Sequence, residues 1–283
     1  MTGADRPIDE GWAGREAWLD RAGSLRQVVR QELVRRQLEV HLPVAPAAVL
    51  DVGAGQGTQT LHLARAGYQV VAVEPEEQMR MACAAALAAE DEQVRSRVTL
   101  VAGSIGELDR LPELADRTFE VVLCHGLLRY LDDPNQPMRA LGRRVAVDGI
   151  VSVVTANAAA LAWRHALRGD HDRATALLDE TARAGWEGRD PRYVNELGVA
   201  CRADSVERLG AYLGGIRCSL EYWYGIRTLV DGRPSDEPVP ADPAELEQVI
   251  ALEERLGRTE PYRRLGSLLH LVGRRGAGRG PQL

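Results

Sequence analysis

The stretch VLDVGAGQGTQT, residues 49–60, is an apolar strand that breaks into three glycines and passes at once into a segment of helical periodicity. Glycines at such a turn let the backbone bend tightly, and they let a ligand approach main-chain atoms that a Cβ would block. A strand, a glycine turn and a helix in this order predict the first unit of a parallel α/β sheet, with a ligand bound at the turn.

An acidic residue follows at the tip of the next strand. Glu74 lies 17 residues after Gly57 and precedes a proline, and a carboxylate there can accept hydrogen bonds from both hydroxyls of a ribose. A nicotinamide enzyme is one alternative, but the glycines follow G-x-G-x-G rather than the G-x-G-x-x-G of a pyrophosphate-binding turn, since position 58 is Thr. Asp51 is unfavourable for a diphosphate and suits a cationic ligand.

Strands and helices alternate from about residue 47 to 155, which indicates a parallel sheet. The residues after Ala156 are rich in Ala, Arg and Asp and predict helices with no strand between them, a helical cap insertion at about residues 157–203. We therefore predict an N-terminal helical segment at residues 1–46 and one domain at 47–283, with a disordered tail at about 275–283. The strand candidates are AAVLDVG, YQVVAVE, RVTLVAG, FEVVLCH and GIVSVVTA.

The composition of the 283 residues is that of a globular protein, with 45% hydrophobic and 27% charged residues. The polar start and the lack of a run of about 20 apolar residues predict a cytoplasmic protein without a membrane partner. Every basic residue is Arg, a bias that removes the arginine count as a signal for nucleic acid, and the formal charge is -6. The six histidines show no metal-ligand spacing, and the four cysteines are expected to be buried thiols.

The D-x-G-x-G-x-G turn with an acid at the next strand tip resembles motifs I and II of the class I S-adenosylmethionine-dependent methyltransferases. The resemblance implies a Rossmann-like class I methyltransferase fold, a seven-stranded and mostly parallel sheet with helices on both faces, and S-adenosyl-L-methionine as the cofactor. The segment LVAGSIGEL falls where the family contacts the adenine, with Ser104 in place of the usual Asp. A non-catalytic protein that binds S-adenosylmethionine is an alternative.

Within this superfamily the chain is most similar to the tRNA 5-carboxymethoxyuridine carboxyl methyltransferases. The similarity rests on four short segments: residues 23–27, His125 with Asp133-Pro134, residues 225–227 with Asp231, and residues 260–262 with Leu265-Gly266 and His270. It implies that Arg26, whose guanidinium can hold a carboxylate with two hydrogen bonds, binds the amino-acid end of the cofactor. The candidate cofactor-binding residues are Arg26, Asp51, Gly53, Ala54, Gly55, Gly57, Glu74, Ser104, Ile105, Gly106 and His125.

The acceptor is predicted from charge and chemistry. The cap carries several acidic residues, which favours a small-molecule acceptor, a carboxylate or another O or N nucleophile of a biosynthetic intermediate, over a tRNA wobble uridine as the alternative. A carboxylate acceptor arrives ionised and needs a cation to hold it, for which Arg164 and Arg227 are the candidates, whereas an amine or hydroxyl needs a base such as His125. The residues expected to line the acceptor pocket are Tyr130, Asn157, Arg164, Tyr193, Tyr224 and Arg227.

Overall fold

The computed structural model describes residues 14–276, and a seven-stranded sheet forms its centre. The strands lie in the order β3-β2-β1-β4-β5-β9-β8. β1 to β5 run parallel, and β9 runs antiparallel to both of its neighbours. The predicted seven-stranded, mostly parallel sheet is confirmed. The strands are β1 Ala48–Val52, β2 Gln69–Glu74, β3 Val98–Ala102, β4 Phe119–His125, β5 Val145–Ala156, β8 Cys218–Ile226 and β9 Leu268–Arg275.

Helices cover both faces because successive strand residues point to opposite sides of the sheet. Leu50 packs with α6 and α9 on one face, whereas its neighbour Val49 packs with α2 and α3 on the other. Burying each such side chain stabilises the fold by about 1.5–3 kcal/mol. The helices are α1 Arg15–Asp20, α2 Leu25–Glu39, α3 Thr58–Arg65, α4 Glu77–Ala88, α5 Glu92–Arg95, α6 Asn135–Arg144, α7 Trp163–Leu167, α8 His171–Trp186, α9 Val206–Gly215 and α10 Pro243–Arg258.

The segment between β5 and α9 contains strands as well as helices. α7 and α8 are followed by a small antiparallel hairpin of β6 (Arg192–Val194) and β7 (Ala200–Arg202). The expectation of helices without strands is therefore wrong here. The sequence did not reveal the hairpin because strands of three residues are too short to show an alternating pattern.

Both ends of the chain differ from the expected boundaries. α2 lies directly on the sheet, where Leu25, Val29 and Leu33 pack against strand residues, so it belongs to the domain rather than preceding it. Arg275 is the last residue of β9 and donates to the carbonyl oxygen of Gly142 at 3.0 Å, so the tail does not begin at 275. Residues 1–13 and the rest of the predicted tail, 277–283, lie outside the described residues.

The turn after β8 is held in place by α10. The buried carboxylate of Glu253 accepts hydrogen bonds from the backbone amides of Thr228, Leu229 and Val230 at 2.7–2.8 Å. Arg227, just before them, has φ 61°, a left-handed conformation that costs a side-chain-bearing residue of the order of 1 kcal/mol. The three hydrogen bonds hold this strained residue at the carboxyl end of β8, beside the carboxyl end of β5 and beneath the segment 157–203.

Candidate functional site

The glycine turn and the tip of β2 form one hydrogen-bonded unit. The Glu74 carboxylate accepts from the backbone amide of Gly55 at 2.8 Å and from that of Glu76 at 3.0 Å. Gly53, at φ 75°, donates from its amide to the carbonyl of Val73. Burial raises the pKa of Glu74. The carboxylate is therefore fixed beside the turn, with lone pairs left to accept from a ligand's hydroxyls.

Two features show why the turn requires glycine. Gly57 has φ 83°, and a Cβ on it would lie 2.4 Å from the Cys83 Sγ on α4. A Cβ on Gly55 would meet no atom within 4 Å, so the space above the turn is open. The turn is thus packed tightly against the protein from below and is free to receive a ligand from above. Ala54 is the fourth residue of this turn that was predicted to contact the cofactor. It follows Gly53 in the same hydrogen-bonded bend.

Asp51 lies beneath the turn and is buried, 3% exposed. Thr60 donates its hydroxyl hydrogen to the Asp51 carboxylate at 2.7 Å. Burial, reinforced by the negative charge of Glu74, raises the pKa of Asp51 to about 6 despite that hydrogen bond. Near neutral pH Asp51 is therefore ionised although burial disfavours its charge, and a cationic ligand would stabilise the carboxylate.

We expect Asp51→Asn to stabilise the ligand-free protein at pH 7. The folded protein holds the Asp51 proton to a higher pH than the unfolded chain does, so the free energy of unfolding falls as pH rises from about 4 to about 6. The difference between about 6 and the ordinary 3.8 corresponds to roughly 3 kcal/mol. Urea unfolding at pH 4 and pH 7 measures this, and equal pH dependence in the two proteins would contradict it.

His125, at the end of β4, belongs to a buried chain of hydrogen bonds. The Gln37 side-chain oxygen is placed to accept from His270 Nδ1 at 2.9 Å, so His270 Nε2 accepts from the Ser152 hydroxyl. The Ser152 oxygen then accepts from His125 Nε2 at 2.8 Å. This order of donors leaves His125 Nδ1 as a bare acceptor, and that atom is buried without a hydrogen-bond partner among the described residues.

His125 is neutral in this setting. Burial lowers its pKa well below 6.5, and the neighbouring His270 and Arg30 lower it further. The Nδ1 lone pair is therefore available throughout the physiological pH range. It suits a donor group such as an ammonium.

Arg30 on α2 is a buried cation without a matching carboxylate. It is 5% exposed, its Nε has no hydrogen-bond partner, and the part of the chain that the structure describes offers no ion pair to it. Its guanidinium lies over the Trp18 ring at 5.1 Å. Burial and the charges of Arg129 and Arg227 lower its pKa to about 9, so it still carries its charge at neutral pH.

Arg30 is close to the glycine turn. A Cβ on Gly126 would lie 3.0 Å from Arg30 Nη2, and a Cβ on Gly53 would lie 3.3 Å from the side chain of Leu127. The guanidinium therefore lies near the ends of β4 and β1, one helical turn after the predicted Arg26. Sequence reasoning missed Arg30 because Arg26 and Arg30 are on the same helix. Only the fold shows that Arg30 has no carboxylate partner among residues 14–276.

Arg26 itself is already paired. Its Nε donates to Asp231 at 2.8 Å, and its Nη2 lies 3.5 Å from the Glu196 carboxylate. The side chain is 3% exposed. The prediction that Arg26 holds the carboxylate of a cofactor therefore places that carboxylate where two protein carboxylates already lie.

A cavity of about 300 Å³ opens beside the two carboxylates that pair with Arg26, between the sheet edge and the cap. Leu161, Tyr193 and Leu268 give it apolar walls, and four arginines contribute to its lining. Burial and the charge of Arg26 lower the pKa of one of them, Arg164, to about 10. The lining arginines are Arg129, Arg164, Arg168 and Arg227, and the lining carboxylates are Asp170, Glu196 and Asp231.

The predicted acceptor residues divide into two groups. Arg164, Arg227 and Tyr193 line the cavity together, and the Tyr130 hydroxyl lies 3.4 Å from the amide nitrogen of another lining residue, Asn195. Arg129 joins them but was not singled out from the sequence. Its Nε is buried and has no hydrogen-bond partner in residues 14–276.

Two predicted acceptor residues have structural roles instead. The side-chain amide of Asn157 donates to the carbonyl oxygens of Arg264 and Gly266, and its oxygen accepts from the amide of Ala159, so the side chain is fully used. Tyr224 places its hydroxyl 2.9 Å from His41 Nε2, beyond the far end of α2. Neither residue lines the cavity, and both side chains are held in hydrogen bonds outside it.

The segment expected to contact adenine forms a short 3₁₀ helix at Ile105–Glu107. The Ser104 hydroxyl donates to the Glu107 carboxylate at 2.7 Å and so caps this helix. A Cβ on Gly106 would meet only the Ser104 oxygen, at 3.8 Å. The side chain of Ser104 is therefore engaged locally, while the backbone of Ile105 and Gly106 borders open space.

Neither a metal-binding cluster nor a membrane-spanning helix is found in the part of the chain that the structure describes. Residues 14–276 contain no group of three or more His, Cys, Asp or Glu side chains placed to hold a metal ion. No helix within those residues is both long and apolar enough to cross a bilayer.

Comparison with known proteins gives this arrangement a family. Residues 50–153, from β1 to β5, match the protein family described as a methyltransferase domain. The chain contains a methyltransferase domain. The prediction of an enzyme of this class is confirmed, and the matched segment carries the glycine turn, Glu74 and His125.

Relatives of this methyltransferase differ in the acceptors that their names give. The chain is 23% identical to the tRNA 5-carboxymethoxyuridine methyltransferase of Escherichia coli O157:H7 over 89% of both chains. It is 26% identical to the ubiquinone biosynthesis O-methyltransferase of Methylococcus capsulatus over 56% of this chain and 70% of that one.

A solved structure supports the methyltransferase fold. The 1,6-didemethyltoxoflavin-N1-methyltransferase of Burkholderia thailandensis, solved with 1,6-didemethyltoxoflavin and S-adenosylhomocysteine, aligns with a TM-score of 0.53 at 18% identity, over 93% of this chain and 83% of that one. At this level of identity the likeness concerns the fold. Together with the strand order, it confirms the predicted class I methyltransferase architecture.

Proposed function

We propose that this methyltransferase transfers a methyl group from S-adenosylmethionine to a carboxylate of a small acidic acceptor. The observation that carries the proposal is the cavity of about 300 Å³ between the sheet edge and the cap, whose lining includes four arginines as well as three carboxylates. A partly apolar cavity with fixed cations is the setting in which an organic anion binds.

The donor side fits S-adenosylmethionine group by group. Glu74 beside the open turn suits the two ribose hydroxyls, and Asp51 beneath it favours a cationic ligand. At the other end, the unpaired Arg30 suits the carboxylate of the methionine part, and the bare Nδ1 of His125 suits its ammonium. We assign the carboxylate to Arg30 rather than to Arg26 because Asp231 and Glu196 already hold Arg26.

S-adenosylmethionine supplies an electrophilic methyl group on a sulfonium. The protein's contribution is to hold the acceptor oxygen in line with the methyl carbon and to exclude water. The new oxygen–carbon bond forms as the carbon–sulfur bond breaks, with the electron pair passing to sulfur, so the products are a methyl ester and a neutral thioether. No proton moves, and a carboxylate acceptor requires no base.

Arg164 and Arg227 orient the acceptor in this proposal, and Arg129 joins them. Arg227 is buried, 4% exposed, and its Nε lies 3.2 Å from Asp231. Arg164 donates to Ser235 at 3.1 Å from the cap side. Cations on both sides of the cavity hold a carboxylate more firmly than one point charge does.

The surface around the cavity favours a small acceptor over tRNA. Several exposed arginines of the cap are paired with carboxylates, as Arg189 is with Glu180 of α8. Arg192 likewise pairs with Asp132 at 2.6 Å. Such pairs leave little free positive charge for a phosphate backbone, whose binding depends on unpaired cations. The tRNA wobble uridine stays the second candidate because the relative that aligns over 89% of both chains is named a tRNA 5-carboxymethoxyuridine methyltransferase.

Calorimetry and turnover test the proposal. The purified protein is titrated with S-adenosylmethionine and then incubated with it and a panel of aryl and alkyl carboxylic acids, their amides, and total tRNA. We expect binding of S-adenosylmethionine, and methyl esters detected by mass spectrometry from acids but not from amides. No binding would refute the enzyme assignment, and esterification of tRNA alone would favour the second candidate.

We expect His125→Leu to weaken binding of S-adenosylmethionine by about tenfold, the value of one lost hydrogen bond to a charged group. Turnover at saturating donor should fall less, because the residue contacts the donor and does not move a proton. Initial rates over a range of donor concentrations separate the two effects. A large fall in turnover with unchanged donor affinity would instead make His125 a base.

A further inference from the structure

The β6–β7 hairpin inserts an acidic side chain into the cavity. Its turn is closed by the side-chain oxygen of Asn195, which accepts from the amides of Leu197 and Val199 at 2.9 and 3.0 Å. Glu196 follows Asn195, and its backbone carbonyl accepts from Arg21 at 2.9 Å. The backbone of the turn is therefore anchored, while the Glu196 side chain extends into the cavity.

The Glu196 carboxylate is held at longer distances than a tight ion pair. Its oxygens lie 3.5 Å from Arg26 Nη2 and 3.3 Å from Arg164 Nη1. Charge-assisted hydrogen bonds are typically about 2.7–2.9 Å, the length that Asp231 achieves with Arg26 at 2.8 Å. A ligand carboxylate that reached the shorter distance would compete well for the same arginines.

Two carboxylates, Glu196 and Asp231, lie among the arginines, and Glu196 is the less tightly held of the two. Asp231 is 1% exposed and fixed between Arg26 and Arg227, whereas the Glu196 side chain is 20% exposed. Burial alone would raise the pKa of the Glu196 carboxyl, but Arg227 and the other arginines hold it well below its usual range. Glu196 is thus an anion at neutral pH.

Even with both carboxylates present, the cavity has an excess of positive charge. Arg26 and the four lining arginines outnumber the three lining carboxylates, Asp170, Glu196 and Asp231. A second organic anion is accommodated most easily by replacing the looser of the two carboxylates. A neutral ligand gains nothing from such a replacement, because it would leave the arginines without their counter-charge.

We infer that the Glu196 carboxylate occupies, in the free enzyme, the position taken by the acceptor's carboxylate, and that the acceptor binds by displacing it. The inference rests on the proposed acidic acceptor and adds how that acceptor is selected. Glu196 competes with the carboxylate of any acidic acceptor, and only an anion restores the contacts that are lost when Glu196 leaves. Neutral analogues of the same shape are therefore rejected.

Benzoate and its neutral isostere benzamide test this without any methyl donor. We expect Glu196→Gln to bind benzoate about tenfold more tightly than the wild type, equivalent to one displaced ion-pair contact, with no change for benzamide. Glu196→Ala should show the same difference. The matched control is Glu187→Gln. Glu187 is an exposed carboxylate that pairs with Arg189 and does not line the cavity, so this variant should leave both affinities unchanged.

Calorimetric titration gives the affinities, and thermal unfolding shows that each variant is folded. Benzoate affinity in Glu196→Gln that is equal to or below that of the wild type would overturn the inference and make Glu196 a permanent counter-ion. Absence of benzoate binding in every protein would overturn it too. Failure of the proposed function is distinct, because it appears as absent S-adenosylmethionine binding in the wild type, whatever benzoate does.

Discussion

Replacing Arg30 by methionine should weaken binding of S-adenosylmethionine by about 100- to 10,000-fold, because two charge-assisted hydrogen bonds to its carboxylate are lost, each worth about 1.5–3 kcal/mol. Binding of 5′-methylthioadenosine, which lacks the amino-acid part, should not change. Methionine fills a similar apolar volume, and a buried cation without a partner is removed, so the ligand-free protein should also become more stable. Calorimetry with the two ligands and thermal unfolding measure the three effects.

Two further variants decide between the arginines of α2. Arg26→Met removes the residue that the family resemblance assigns to the cofactor, and we expect it to destabilise the protein because the buried Asp231 loses a partner. Arg35→Met is the control, since Arg35 is a partly exposed residue of the same helix that pairs with Glu32 and Glu39. If Arg26→Met lost the selectivity for S-adenosylmethionine over 5′-methylthioadenosine and Arg30→Met kept it, the assignment to Arg30 would be wrong.

Glu74→Ala should weaken binding of both ligands equally, also by about 100- to 10,000-fold, since the ribose common to both loses two hydrogen bonds to a carboxylate. The turn should become looser as well, because the amides of Gly55 and Glu76 lose their acceptor. Equal losses for the two ligands distinguish this effect from that of Arg30→Met. The measurement is the same pair of titrations.

The control for Glu74→Ala is Glu77→Gln, an exposed acid at the start of α4, three positions along the chain. It should leave both affinities unchanged. Glu74→Gln keeps one acceptor oxygen and should have an intermediate effect. An unchanged affinity for 5′-methylthioadenosine in Glu74→Ala would show that the ribose does not lie beside the glycine turn.

The arrangement of the glycine turn with Asp51 and Glu74 was predictable from sequence because its parts are local. The glycine turn, Asp51 and Glu74 fall on two successive strands, and parallel strands bring their carboxyl ends to one edge. Ser104 and the backbone of Ile105 and Gly106 follow from the next strand in the same way. Short-range order along the chain was enough to place them together.

The other residues of the candidate site, on both the donor and the acceptor side, were only partly predictable because they depend on distant contacts. Whether Arg26 or Arg30 is free is decided by Asp231, 205 positions away, and every basic residue is Arg, so residue type gives no hint. Tyr224 was expected to line the acceptor pocket, but its hydroxyl lies 2.9 Å from His41 Nε2 and the residue does not line the cavity. Glu196 depends on a hairpin too short to be recognised from its pattern.

The anchoring of the turn after β8 by Glu253 has a consequence for how this enzyme could diversify. Arg227 and Asp231 flank a segment fastened to α10 by three backbone hydrogen bonds, whereas the glycine turn is fastened to β2 by Glu74. The two halves of the active site therefore have separate mechanical supports. Substitutions in the acceptor half can change what is methylated while the donor half is inherited intact, so one scaffold can give rise to enzymes with the same methyl donor and unrelated substrates.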